Sequence, residues 1–114
     1  MKRDDAIRLY HMAEALTAAV RFAQGRTRLD VDHDEMLRFA LTHAIQIVGE
    51  AASKISAETQ AFHPQIPWRQ ITGMRNRLVH AYYDVDRGIL WTTATVFAPE
   101  LLALVQKILP EIEI

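Results

Sequence analysis

The chain has 114 residues, half of them apolar, and a formal net charge of −1 at pH 7. That length suits a single domain over residues 1–114, and the apolar share can build a core without a metal or a disulfide. The absence of cysteine excludes a disulfide scaffold, a thiol nucleophile and a thiolate zinc site, and the near-zero charge argues against a protein that coats nucleic acid indiscriminately.

No stretch approaches the roughly 18 continuous apolar residues of a membrane span. The charged start Met1-Lys2-Arg3-Asp4-Asp5 has no apolar run behind it. The expectation is a cytoplasmic protein with no membrane partner. The charge is unevenly spread. Glu14 to Asp30 encloses Arg21, Arg26 and Arg28 and no acid; Glu58 to Asp84 encloses Arg69, Arg75 and Arg77 and no acid. Two basic segments that met in space would form an anion site, whereas a single arginine is more often a solvated helix residue.

Helical spacing accounts for most of the chain. A first helix is predicted from about Asp4 to Gln24, capped by Asp4 or Asp5 and stopped by Gly25. A long second helix is predicted from about Asp32 to Gln60. It has one continuous apolar face from Leu37 to Ile55 and a second with Met36, Phe39, His43 and Ile47, so it should pack on two sides. After the loop His63–Pro67 a third helix is predicted to Tyr82, opened by Pro67 and broken by Asp84-Val85-Asp86. A fourth starts near Asp86, and Pro99 should kink or split it. Short connections between four helices, or five if Pro99 splits the last, predict an all-α up-and-down bundle.

The chemistry-bearing stretch is Met74-Arg75-Asn76-Arg77-Leu78-Val79-His80-Ala81-Tyr82-Tyr83. On a continuous helix Asn76 and His80 share a face, but Arg75 and His80 stand roughly 140° apart and do not stack. Unwinding of the last turn, or a second copy facing the first across a two-fold axis, would bring these groups together. RNA cleavage by 2′-hydroxyl attack needs a base and an acid, and histidine does either near neutral pH. A guanidinium is well suited to the gathering phosphate charge, and no metal is required. Each chain gives one motif histidine and a dimer gives two. The same residues also have structural uses: His80 at a helix C-terminus, Arg75 and Arg77 paired with Asp84 or Asp86, and the tyrosines in packing.

The run Arg75 to Asp86, with Leu90-Trp91, Pro99-Glu100-Leu101 and the segment Ile47–Ile55, resembles the HepT branch of the HEPN ribonucleases over about Asp4 to Leu109. The resemblance implies an HEPN-like dimeric bundle and a metal-independent endoribonuclease toxin, with tRNA or mRNA as target and no cofactor. It gives catalytic roles to Arg75 and His80, and with the preceding chemistry it makes Asn76 and Arg77 phosphate-binding candidates. It also implies an antitoxin partner, an MntA-type minimal nucleotidyltransferase that transfers AMP to Tyr82. A non-catalytic helical dimer that assists such a nucleotidyltransferase is the alternative. Glu50 could orient Arg75 or Arg77 through a bidentate pair, or simply be exposed. His43 fits packing or an interface better than a ligand role. Trp68 fits a core anchor better than a base-stacking platform.

Overall fold

The computed structural model describes residues 1–81 and 84–110; for Arg75, Val79, His80, Ala81 and Asp84 it describes the backbone. The elements in chain order are α1 (Arg3–Ala23), α2 (Arg28–His33), α3 (Glu35–Ser53), α4 (Ala57–Phe62), α5 (Trp68–Leu78), β1 (Val79–Ala81), β2 (Asp84–Val85), α6 (Arg87–Thr92), a π-helical turn (Thr93–Phe97) and α7 (Ala98–Ile108). The all-α bundle read from the sequence is correct, with a two-stranded antiparallel pair added.

α1 packs along α3, and its N-terminal end meets the segment just beyond the far end of α3, so the two run antiparallel. α5 covers α3, and α7 covers α1. Leu9, Met12, Leu16, Leu41, Val48, Leu78, Leu101 and Val105 belong to one continuous core. Gly25, at φ 73°, ends α1 in the left-handed region. Gly25→Ala keeps the contacts and adds a backbone penalty, so it is expected to cost about 1 kcal/mol in a thermal melt.

Neither acid predicted to cap α1 does so. The helix starts earlier, and Asp5 is buried in its first turn. The carboxylate of Asp5 accepts from the Ser56 backbone N–H at 2.9 Å and from the hydroxyls of Ser56 and Thr59 at 2.6 Å each. It thereby fixes the start of α4 to the start of α1.

The long second helix of the sequence reading is three helices. Thr27 donates its backbone N–H to Asp30 at 2.7 Å and opens α2. Asp34 interrupts the run and accepts from the Leu37 N–H at 3.1 Å to start α3. Ser56 accepts from the Thr59 N–H and starts α4. Each break falls at a short polar side chain that offers the backbone a local alternative to the helix. The apolar periodicity runs across these breaks because Val31 and Ile55 still point into the core.

The last rod, Arg87–Ile108, is 22 residues long and apolar enough by length and composition to cross a membrane, with a mean hydropathy of 1.5 in its best window. Its stripe of Leu90, Ala94, Ala98, Leu101 and Val105 is buried in the bundle. Pro99 does not end the rod at that residue. A π-helical turn immediately precedes the proline, and Ala98 donates back five residues to the Thr93 carbonyl. The wider turn relieves the clash that a proline ring makes one turn back.

Candidate active site

α5 begins on a fixed support. Trp68 is buried, and its indole N–H donates to the carbonyls of Gln60 and His63 at 3.1 and 3.0 Å. It is a core anchor, as its apolar context favoured, and is not available for base stacking. Ile71, Met74 and Leu78 form the buried face of α5, leaving Arg69, Gln70, Asn76 and Arg77 exposed.

The helix ends at Leu78 and does not reach Tyr82. From Val79 the backbone is extended, pairing antiparallel with Asp84–Val85 in the register Val79↔Val85 and Ala81↔Asp84. The Asp86 N–H donates to the Leu78 carbonyl at 2.9 Å and closes this pair, and Asp86 then caps α6 through the Ile89 N–H at 2.9 Å. Arg75 and Asn76 therefore lie on the last turns of a helix, while His80 lies on a strand leaving it. The shared helical face expected for Asn76 and His80 is lost, and the 140° offset between Arg75 and His80 no longer applies. Tyr82 lies outside the described residues.

The two basic segments have different fates. Arg26 pairs with Asp34 at 2.6 Å and Asp30 at 3.4 Å, and Arg28 pairs with Asp32 at 3.2 Å. Asp32 also pairs with Arg87 at 3.3 Å, tying α2 to α6. The Arg28 and Arg87 guanidinium groups hold the Asp32 carboxyl below its ordinary range despite opposing desolvation. Arg21 lies over the Phe22 ring, 5.4 Å from its centre. The first segment is thus largely neutralised within the chain. In the second, Arg69 and Arg77 have no carboxylate partner among the described residues.

Glu50 is exposed. Its carboxylate pairs with Lys54 at 3.4 Å, and it borders a hollow shared with Arg8 and His11 at the α1–α3 seam. His43 is exposed, as are Met36 and Phe39 beside it on α3. Sequence reasoning missed a further feature next to the motif: Met74 and Arg77 face Ile89, Thr93 and Phe97 across a hollow of about 350 Å³. No local signal announces it, because its two walls come from elements separated by the hairpin.

The fold is thus a helical bundle in which the run from Arg75 to His80 spans the end of α5 and the start of β1. The chain belongs to the ribonuclease HepT-like family, whose model matches residues 12–108. It is 35% identical over 108 residues to the "Probable ribonuclease HepT" of Thermococcus cleftensis, covering 95% of this chain and 98% of that protein. It is also 30% identical over 112 residues to a Methanocaldococcus jannaschii protein named as an RNase, covering 98% of this chain and 93% of the relative. No solved structure matches the chain.

Proposed function

We propose that this chain is a metal-independent endoribonuclease toxin that acts in the cytoplasm as a homodimer, with two motifs lining one RNA-cleaving cleft. The supporting observation is the change from helix to strand at Leu78–Val79. It puts the arginine end of the motif on a helix and the histidine on a separate extended segment, with Asn76 and Arg77 exposed and Arg77 without a carboxylate partner among the described residues.

In the reaction, one histidine takes the proton of a ribose 2′-hydroxyl, and that oxygen attacks the adjacent phosphorus. The bond from phosphorus to the 5′-oxygen breaks, and the second histidine protonates the leaving oxygen. The products are a 2′,3′-cyclic phosphate and a 5′-hydroxyl. Arg75 holds the phosphate as its charge grows, and Asn76 and Arg77 position it. His80 of each copy supplies one of the two proton transfers. tRNA and mRNA are the substrate classes. An MntA-type nucleotidyltransferase silences the toxin by moving AMP to Tyr82, placing an anion where the RNA phosphate would sit.

The test is incubation of the purified chain with a tRNA pool in excess chelator. Cut RNA bearing cyclic phosphate ends is the expected result; a strict requirement for added metal would contradict the mechanism.

A further inference from the structure

Gln70, Met74 and Arg77 recur at successive turns of α5 and face α6 and the π-turn across the hollow beside the motif. Burial divides its lining in two. Met74, Thr93, Ile89 and Phe97 are buried or half-buried and form a mainly apolar floor; Gln70, Arg77, Gly88 and Thr92 are exposed and form a polar rim. Arg77 has no carboxylate partner among the described residues, in contrast to the ion-paired Arg26, Arg28, Arg38 and Arg87.

Gly73 lies on the same helix between Gln70 and Arg77. A Cβ built on it meets no atom within 4 Å, and Gly25 is the positive-φ glycine of the described residues. Among the described residues neither space nor backbone calls for a glycine at Gly73, although glycine is among the poorest helix formers. A close approach by another molecule would give it a use.

We infer that this hollow is a nucleotide subsite of the RNA-binding cleft. It takes the base of a nucleotide next to the scissile phosphate, with that nucleotide's phosphate on Arg77 and its backbone passing close over Gly73 toward Arg69. A base has apolar faces for Met74, Ile89 and Phe97 and polar edges for Gln70 and Thr92. Charge suits the occupant: an RNA strand would neutralise the exposed guanidinium groups of Arg69 and Arg77. The inference rests on the ribonuclease reading and adds the residues that contact a base.

The experiment is a titration of the wild-type chain, ¹³C-labelled at methionine and isoleucine methyls, with each of the four ribonucleoside 5′-monophosphates and with inorganic phosphate. The Met74 and Ile89 methyls are expected to shift saturably with at least one nucleotide and not with phosphate. Gly88→Leu, which intrudes from the rim, is expected to weaken that binding about tenfold or more, the scale of one base stack. Gln70→Ala, at an exposed helical position, provides the same comparison if Gly88→Leu unfolds. Gly73→Ala should raise the melting temperature while weakening the binding of a short RNA. Silent methyls with all four nucleotides overturn the subsite. RNA cleavage with silent methyls sinks the subsite and spares the ribonuclease reading. Nucleotide-responsive methyls without RNA cleavage do the reverse.

Discussion

His80→Ala is expected to lower the rate of RNA cleavage by about 10²–10⁴-fold, the usual worth of a positioned proton-transfer group. The loss should appear in the initial rate on end-labelled tRNA, with a thermal melt alongside to separate catalysis from folding. Arg75→Ala should cause a loss of similar order, since a guanidinium directed at developing phosphate charge acts in the transition state. Arg75→Lys should recover little of it, because a compact ammonium cannot reproduce the planar fork. Full activity in His80→Ala would leave the proposed proton transfers without an agent. If the two copies share a cleft with one histidine for each proton transfer, a mixed dimer of wild-type and His80→Ala chains keeps only one of the two, and activity far below half that of the wild-type dimer would report that sharing.

Asp5→Ala is expected to be the most damaging single change to the fold, at about 3 kcal/mol, a fall in Tm of roughly 12 °C or more for a domain of this size. The carboxylate is buried and accepts three short hydrogen bonds. Removing it strands the Ser56 N–H and the buried Thr59 hydroxyl. Asp5→Asn retains an acceptor and should lose less. The same site predicts acid sensitivity. Burial pushes the Asp5 carboxyl up, but the hydrogen bonds from Ser56 and Thr59 outweigh it, and the net position is below the ordinary 3.8. The unfolded chain therefore takes up this proton first as the pH drops. The contribution is complete above about pH 4 and is lost as the pH falls through the lower folded value. The Asp5→Ala chain should show a flatter loss of stability across that window in urea melts at stepped pH.

Much of this architecture was legible in the residues. The stop at Gly25, the loop before Trp68 and the Asp86 cap each rest on a local backbone preference, and each stands where the sequence placed it. The breaks at Asp34 and Ser56 were hidden because the apolar stripe continued through them. Periodicity reports which side faces the core and not whether the hydrogen-bond ladder is unbroken. The role of Asp5 was not legible, since its partners lie 51 and 54 positions away. At the motif, the strand at Val79–Ala81 depends on pairing with Asp84–Val85, a tertiary preference that overrides helix propensity. The accounting of charges also needed three dimensions. Only the fold distinguishes Arg26 and Arg28, held by Asp30, Asp32 and Asp34, from Arg69 and Arg77.

The widened turn at Thr93–Phe97 works as a phase adjuster for the last rod. Buried positions fall at Leu90, Ala94, Ala98, Leu101 and Val105, an average step longer than the 3.6-residue repeat of a regular α-helix. The slower winding of the π segment absorbs that excess and keeps both ends of the rod turned the same way. Excising one residue from this stretch would make a more regular helix and a worse protein, because everything downstream would swing by about 100° and either Leu90 or Leu101 would be carried out into water. Length variation among related chains should accordingly collect in the connections between helices and spare this turn.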